Sequence, residues 1–570
     1  MKCQLTHSVL FPFVWLFFLT SCKSDPKAAP LAPTEDADEL ARRLIASEET
    51  VLELTPKLGK LARSIVNGEP STSLIPSIWN ETKSTERTWL NGSFGTLAGA
   101  FEGQDFVTKT KFEGLLKGAN TELVGVKSSQ SITWTKDSDN NYEITQWEQI
   151  SFETIQSPAP LFEDVTRLAI PSTFAREEAQ RSTHQEITER ALVEKKLVMP
   201  KLEYADTPDM GSAYQYPSVS VVDYDDDGHE DLFVTARYTA PQLLKNLGNG
   251  TFEDVSLESG FTSGDCVNFA LFADFDNDGD PDALLCRSLQ PTLYYRNNGG
   301  RFEDVTHKLS DLGEQFFVVS ASAADVNRDG LLDVYLTTYT PGKDILPKWK
   351  ERYLTTEDSI KLDQISEGAH PYFDDRGGPN ILLMNRGEGR LERAGGEVVK
   401  LWRKSYQPAW ADIDGDGDDD LYVCNDFAPD TYLRNDTPKD AADPIFVDAF
   451  EETFPEGSMA FGMGASFGDY DQDGDLDLFV SNMYSKAGNR IISIVGDVDP
   501  RIKVAARGNF LYRNDHGKFH QVAKPNAAET RTGWSFGGQF ADFNNDSHLD
   551  LYVPCGYYTA PKKVATEVDL

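Results

Sequence analysis

Acidic residues recur in this chain at a spacing that could bind metal ions. Five nine-residue segments follow the pattern D-x-[DN]-x-D-G-x-x-D, and a sixth departs from it only in having serine in place of glycine. Crowded carboxylates repel one another unless a cation lies among them, and oxygen ligands at alternating positions suit calcium. We predict side-chain ligands at positions one, three, five and nine and a main-chain carbonyl ligand at position seven. The predicted ligands are Asp223, Asp225, Asp227, His229 and Asp231; Asp274, Asp276, Asp278, Asp280 and Asp282; Asp325, Asn327, Asp329, Leu331 and Asp333; Asp412, Asp414, Asp416, Asp418 and Asp420; Asp469, Asp471, Asp473, Asp475 and Asp477; and Asp542, Asn544, Asp546, His548 and Asp550.

The segments differ from EF-hand loops, which need a bidentate glutamate at position twelve. That position is aliphatic in all six copies: Val234, Leu285, Leu336, Val423, Val480 and Val553. Short apolar or alternating runs flank each segment and favour strands, so we expect each acidic loop to join two strands of a hairpin. The alternative is that the segments are ordinary polar turns without metal ions. That alternative explains a single copy better than six copies in the same strand–loop–strand arrangement. We expect up to six calcium sites, the weakest beginning at Asp542, because Ser547 stands where the other copies have glycine.

The repeat period predicts the architecture. The first three loops begin at positions 223, 274 and 325, and a period of about fifty residues is typical of propeller blades. A second hairpin follows most loops, as in 244–255, and two hairpins make a four-stranded blade. We therefore expect a mainly β protein with a β-propeller of six blades, a seventh around 167–217 being left open. A strand at 162–166 would complete the last blade and close the ring.

Two sets of residues carry a resemblance to known repeats. Ser466-Phe467-Gly468-Asp469 and Ser535-Phe536-Gly537-Gly538 resemble the FG-GAP/VCBS repeats of integrin α-subunit propellers and bacterial surface proteins. The acidic pattern, alternating with Leu-Tyr-x-Asn and Phe-Glu-Asp-Val-Thr, looks most like bacterial relatives of the cartilage acidic protein family. The resemblance covers about 159–560 and implies a calcium-binding propeller. The C-terminal ASPIC/UnbV module of many members is not recognised here, so functions tied to that module are not carried over.

Sequence patterns in the N-terminal third of the chain predict an export signal and a separate domain. Residues 1–22 have a basic start and a short apolar run, typical of a signal peptide, and Leu19-Thr20-Ser21-Cys22 resembles a lipobox with Cys22 lipidated. An ordinary signal peptide is the alternative. We expect a tether at 23–36, one or two helices within 37–67, antiparallel strands within 85–157 and a linking helix at 173–197. The predicted domains are thus a helical and α+β unit at 37–157 and a propeller at 158–570.

The net charge and the cysteine spacing limit the kinds of partner and cofactor that we expect. The net charge of −38 argues against nucleic acid. The cysteines Cys266, Cys286, Cys424 and Cys555 form no CxxC pair, so a zinc or redox motif is not expected. A disulfide between Cys266 and Cys286 is left open.

Our leading hypothesis is a non-catalytic, lipid-anchored module of the bacterial outer membrane or cell surface. It would bind an unidentified protein or glycan through one face, without catalytic residues. The alternative is a polysaccharide lyase or hydrolase that uses His370 and its neighbours Tyr372, Asp374, Asp375 and Arg376 in an insertion at 341–378. An adhesion or assembly role is a third reading that the sequence does not separate from the first.

Overall fold

A computed structural model gives the fold of the following parts of the chain: residues 37–68, 72–76, 79, 87–118, 122–160, 162–181, 186, 190, 218–235, 240–261, 267–287, 290–312, 317–339, 346–366, 377–394, 396–457, 459–484, 500–505, 507–522 and 532–555. Several predictions fall outside these described residues. They are the signal peptide with Cys22, the tether, the His370 cluster and Cys266.

The N-terminal domain is a long helix packed on a meander of four long strands. Helix α1 (Ala37–Asn67) covers one face of an antiparallel sheet of β1 (Thr88–Glu102), β2 (Asp105–Lys117), β3 (Leu123–Lys136) and β4 (Tyr142–Ser157), ordered as in the sequence. The apolar positions of α1 recur every three or four residues, so one stripe is buried. Its buried members are Val51, Leu54, Leu58, Leu61 and Ile65. The structure contains a helix and strands where the sequence predicted them, with one helix rather than two in this stretch.

The repeats form five four-stranded antiparallel sheets and one two-stranded sheet among the described residues, each sheet in sequential order. Sheet 1 is β5 (Val219–Val222), β6 (Asp231–Val234), β7 (Gln242–Asn246) and β8 (Phe252–Asp254); sheet 2 is β9 (Val267–Ala273), β10 (Asp282–Arg287), β11 (Leu293–Asn297) and β12 (Phe302–Asp304); sheet 3 is β13 (Val318–Ala324), β14 (Asp333–Thr338), β15 (Ile381–Asn385) and β16 (Leu391–Ala394); sheet 4 is β17 (Lys404–Ala411), β18 (Asp420–Asp426), β19 (Thr431–Asn435) and β20 (Phe446–Asp448); sheet 5 is β21 (Gly462–Gly468), β22 (Asp477–Asn482), β23 (Phe510–Asn514) and β24 (Phe519–Gln521); and sheet 6 is β25 (Gln539–Ala541) and β26 (Asp550–Tyr552).

Shorter helices lie between these elements. They are α2 (Thr166–Ala169), α3 (Thr173–Ala179), α4 (Thr306–Leu309), α5 (Leu346–Tyr353), α6 (Thr356–Ser366), α7 (Glu397–Lys400), α8 (Phe450–Thr453) and α9 (Pro500–Ala505). The predicted helix at 173–197 is therefore present as α3 at its start, and much of the remainder lies outside the described residues. No helix in the described ranges is both long and apolar enough to cross a bilayer.

Four of the hydrophobic clusters in the described repeat region lie between consecutive sheets. Phe233 of sheet 1 packs on Phe272 of sheet 2, with ring centroids 5.3 Å apart, and further clusters join sheets 2 and 3, 3 and 4, and 4 and 5. Phe540 of sheet 6 packs on Phe479 of sheet 5 at 6.3 Å. Because both faces of the inner sheets are covered, their second strands are buried along their whole length, as in β10 and β14.

The predicted strand at 162–166 is wrong. Residues 162–165 have no strand pairing, and helix α2 begins at Thr166. Asp164 Oδ1 accepts a hydrogen bond from the Thr166 amide at 3.0 Å, the turn that also follows Asp304 in sheet 2. Phe302–Asp304 forms a strand because β11 lies beside it, whereas the described part of sheet 6 offers no third strand to 162–164.

The segment 162–179 nevertheless contacts both ends of the repeat array. The Phe162 ring lies 5.5 Å from that of Phe543, at the start of the sixth acidic loop. Ile170 and Ala175 pack on Leu244 of sheet 1. Gln242 Nε2 also donates to the Ala175 carbonyl at 3.3 Å. One short segment therefore touches the last and the first sheet.

Candidate metal centres in the acidic loops

The six acidic loops join the first and second strands of sheets 1 to 6. We call them loops 1 to 6: 223–231, 274–282, 325–333, 412–420, 469–477 and 542–550. The first aspartate folds each loop back on itself. In loop 1, Asp223 accepts the amides of Asp227 at 3.1 Å and Gly228 at 2.9 Å, and loops 2, 3, 5 and 6 repeat both bonds.

Position six turns the chain in the left-handed region, where a side chain is strained. The φ angles of the glycines there lie between 83° at Gly228 and 100° at Gly279. Ser547 adopts the same conformation with φ 69°. Loop 6 therefore keeps the fold of the other loops at a cost in backbone strain.

Four loops bring three carboxylates together at metal-binding distance. In each group the potential ligand oxygens lie within 4.8 Å of one another. The groups are Asp223, Asp225 and Asp231 in loop 1; Asp274, Asp276 and Asp278 in loop 2; Asp412, Asp414 and Asp416 in loop 4; and Asp469, Asp471 and Asp477 in loop 5. All belong to the predicted ligand set.

Buried oxygens without hydrogen-bond partners mark where a cation fits. Within the described chain these include Oδ1 of Asp225, Asp276, Asp412 and Asp418. The Asp276 side chain is only 6% exposed, so solvent hardly reaches it. A buried carboxylate oxygen without a donor is costly, and burial, the largest cause, raises the pKa of Asp276. A divalent ion would satisfy such oxygens, so these residues fit calcium.

Loops 3 and 6 differ because position three is asparagine. Asn327 Nδ2 donates to Asp329 Oδ2 at 3.0 Å, and Asn544 Nδ2 donates to Asp546 Oδ2 at the same distance. The amide thus binds the carboxylate that a metal would need. No group of three acids as close as those above occurs among the residues of these two loops.

The ninth aspartate is an anchor for the hairpin as well as a candidate ligand. Asp282 is fully buried and accepts the amides of Asn297 at 2.8 Å and Phe275 at 3.3 Å. The same two bonds recur at Asp231, Asp333, Asp420 and Asp477. Burial raises the pKa of Asp282 to about 7. This aspartate joins the acid cluster in loops 1 and 5.

An asparagine ends the third strand of sheets 1 to 5, and in sheets 2, 3 and 4 it links neighbouring sheets, a role that the sequence reading did not identify. Asn297 Nδ2 donates to the carbonyl of Tyr224 in loop 1 at 2.8 Å. Asn385 and Asn435 make the equivalent bonds to Phe275 of loop 2 and Val326 of loop 3. The signal was present as an asparagine after each of the first five acidic loops, but only the packing of the sheets shows its partner.

Position four of the loops makes a second link in the opposite direction along the chain. Asn277 of loop 2 donates to the Gly330 carbonyl of loop 3 at 3.0 Å, and Gln472 of loop 5 donates to the Ser547 carbonyl of loop 6. Arg328 of loop 3 pairs with Asp418 of loop 4 at 3.4 Å. Loop 4 carries Gly415 at this position and has no side chain to offer.

Basic residues of the third strands enter two of the clusters. Lys245 Nζ contacts Asp225 Oδ2 and lies 2.9 Å from Asp227 Oδ2. Arg296 contacts Asp276 in loop 2. In sheet 4, the equivalent Arg434 instead binds Asp436, with Nε 2.8 Å from Oδ1.

Three of the cysteines considered in the sequence analysis lie in the described residues. Cys286, Cys424 and Cys555 are free thiols there.

One of the comparisons with known proteins, a family model, agrees with the repeat assignment. A family model described as an FG-GAP-like repeat matches residues 223–285, 274–336 and 412–480. No curated protein matches the chain. Among solved structures, the V. cholerae biofilm matrix protein Bap1 matches with a TM-score of 0.26 and 13% identity, over 48% of this chain and 35% of that protein's chain. The chain therefore carries FG-GAP-like repeats, built as antiparallel sheets whose acidic loops could hold metal ions.

Proposed function

We propose that this chain is a calcium-binding, non-catalytic module of the bacterial cell envelope that binds a protein or glycan. The observation that carries the calcium part is the set of buried, partnerless carboxylate oxygens inside clusters of three acids, with Asp276 as the clearest case. Bound calcium would coordinate these Oδ1 atoms and offset the remaining negative charge of each cluster. Loops 1, 2, 4 and 5 each hold a cluster of three acids, and the asparagine-containing loops 3 and 6 would bind more weakly.

The test is thermal unfolding of the purified chain with calcium and with chelator. An ion that binds the folded state alone raises the melting temperature by mass action, so calcium should raise it and chelator should reverse the rise. Asp414→Ala removes a ligand from the loop 4 cluster and should shrink the rise. Glu163→Ala, an acid outside every loop, is the control and should leave it unchanged. An identical melting temperature with and without calcium would remove the basis of the proposal.

We also propose that the six sheets close into a ring. The support is an unequal burial at equivalent positions four residues before each loop. Ala270, Ala321 and Ala465 are 1–3% exposed because an adjacent sheet covers them, whereas Val219 of sheet 1 is 58% exposed. Tyr552 of sheet 6 is 56% exposed. Joining sheets 1 and 6 would cover both end faces, and the contacts of 162–179 with both sheets favour that closure. An experimental structure of the calcium-loaded chain with an open arc would contradict it.

Lipid attachment at Cys22 and a place on the outer membrane or cell surface complete the proposal. The Cys22→Ser variant should lose acylation and leave the membrane fraction, while the wild type stays there. Retention of the variant would argue against a lipid anchor. Affinity capture from intact envelopes, with calcium and with chelator, would identify the protein or glycan partner, and calcium-dependent capture is the expected result.

A further inference from the structure

The loops are unequal in one respect that depends on the third strand of each sheet. In sheet 1, Lys245 precedes Asn246, and its ammonium group lies between Asp225 and Asp227. The Lys245 side chain is 25% exposed, and its ammonium also lies 5.9 Å from the centroid of the Tyr224 ring. One positive charge therefore already occupies the carboxylates of loop 1.

Loop 2 contains a comparable internal cation. Arg296 contacts Asp276 through Nη2, and the same nitrogen donates to the Glu388 carbonyl of the neighbouring turn at 2.9 Å. The contact with sheet 3 is close, since a β-carbon on Gly389 would lie 3.3 Å from that of Asp276. The guanidinium is thus held over the loop from two sides.

Loops 3, 4 and 5 lack such a cation at the equivalent position. In sheet 3 the residue is Met384, which is uncharged and buried. In sheet 4 Arg434 is held by Asp436, at 2.8 and 3.2 Å through two nitrogens. In sheet 5 Arg513 is exposed. The third strands of sheets 4 and 5 therefore place no basic side chain in contact with the clustered acids of their loops, and the one ion pair to loop 4, from Arg328, reaches Asp418 outside the cluster of Asp412, Asp414 and Asp416.

We propose that Lys245 and Arg296 are internal competitors for the metal sites of loops 1 and 2, so that divalent ions fill loops 4 and 5 first and enter loops 1 and 2 only by displacing a side chain. The inference rests on the proposed calcium binding. Lys245 and Arg296 hold the Oδ2 atoms of Asp225 and Asp276, and a divalent ion on the Oδ1 atoms of the same carboxylates would meet the like charge of that side chain unless the side chain moves away. The chain would thus respond to calcium in two concentration ranges.

Terbium(III), an oxygen-binding ion that substitutes for calcium, can follow individual loops through energy transfer from nearby tyrosines. Position two is tyrosine only in loop 1, as Tyr224, and in loop 5, as Tyr470. The Tyr224→Phe and Tyr470→Phe variants each identify the part of the luminescence that depends on that residue. We expect the Tyr470-dependent part to saturate at a lower terbium concentration than the Tyr224-dependent part.

Lys245→Met introduces the residue that sheet 3 carries naturally. It should lower the half-saturation of the Tyr224-dependent signal by about fivefold, the size of one partly screened ion pair. Arg513→Met is the matched control, because it removes a charge at the same register without an acidic-loop contact, and should change the Tyr470-dependent signal by less than about twofold. If Lys245→Met leaves the Tyr224-dependent half-saturation within twofold of wild type, the competitor inference is wrong, although metal binding stands. If no loop binds terbium and calcium has no effect, the proposed function itself fails.

A second measurement needs no variant. Amine labelling of the wild-type chain, read by mass spectrometry, should increase at Lys245 when calcium displaces it. Lys308, whose side chain is 66% exposed and pairs with Glu303 away from the acidic loops, should label equally with and without calcium. Constant labelling of Lys245 under saturating calcium would overturn the inference even if the methionine variant failed to fold.

Discussion

Replacing Asn297 by alanine should destabilise two sheets at once. The Asn297 side chain is fully buried and makes three hydrogen bonds: Nδ2 donates to the Tyr224 carbonyl at 2.8 Å and the Pro281 carbonyl at 3.2 Å, and Oδ1 accepts the Gly300 amide at 2.9 Å. Each lost bond costs about 1 kcal/mol net. The three together predict a loss of about 3 kcal/mol, of which about 1 kcal/mol belongs to the bond that reaches loop 1.

Native-state hydrogen exchange measures both parts, because it reports opening free energies locally. Since 1.4 kcal/mol is a factor of ten, amides of sheet 2 should exchange about a hundredfold faster in Asn297→Ala. Those of loop 1, in the neighbouring sheet, should exchange about fivefold faster. Asn514→Ala is the matched control, because the bonds of Asn514 to Leu476 and Gly517 lie within sheet 5. If the exchange of loop 1 does not change in Asn297→Ala, the asparagine does not couple the sheets.

Two further changes test the loops themselves. Ser547→Gly removes the backbone strain of a serine in the left-handed region, about 1–2 kcal/mol. Glycine loses about 0.5–1 kcal/mol more chain entropy on folding, so loop 6 should become more stable by about 0.5–1 kcal/mol. Its amides should therefore exchange two to five times more slowly. Gly474→Ala, where a β-carbon meets nothing within 4 Å, should instead destabilise loop 5 by about 1 kcal/mol through strain alone, and equal stability there would contradict the strain argument. A further prediction concerns pH. Because burial raises the pKa of Asp282 in the folded state to about 7, above about 3.9 in the unfolded chain, the folded state holds that proton more tightly, and its stabilisation is lost as pH rises from about 4 through 7. The melting temperature of the metal-free chain should fall over that range, less steeply in Asp282→Asn, while the rise caused by calcium should grow because metal binding needs the ionised carboxylate; a metal-free melting temperature that increases with pH would contradict this.

The spacing of acids and turn residues was enough to locate every loop and its flanking strands, because a nine-residue pattern with local hydrogen bonds depends on little else. The four-stranded sheets followed from a second local signal, the hairpin after each loop. What the sequence could not give depends on neighbours in space. The strand expected at 162–166 needs a partner strand, and the described residues offer none, although Asp164 and Thr166 form the same turn as Asp304 and Thr306.

The same limit applies to the site. Asp231 and Asp282 were predicted only as ligands, since the period does not reveal that their oxygens accept amides from the third strand. The contact of Lys245 with Asp225 also escaped prediction, because a basic residue before an asparagine is ordinary in an exposed hairpin. The contact results from the register between the second and third strands, which brings the end of β7 beside the loop.

The links between sheets have a consequence for how such a protein can change over evolutionary time. Asn297, Asn385 and Asn435 each bond to the sheet immediately before their own, so the junctions are copies of one another. Duplication or deletion of one whole sheet with its loop would bring together surfaces that already match. The number of sheets can therefore change more easily than the residues that form the junctions. The first and last sheets are more constrained, because the segment from Phe162 to Ala175 contacts both and must span the distance between them.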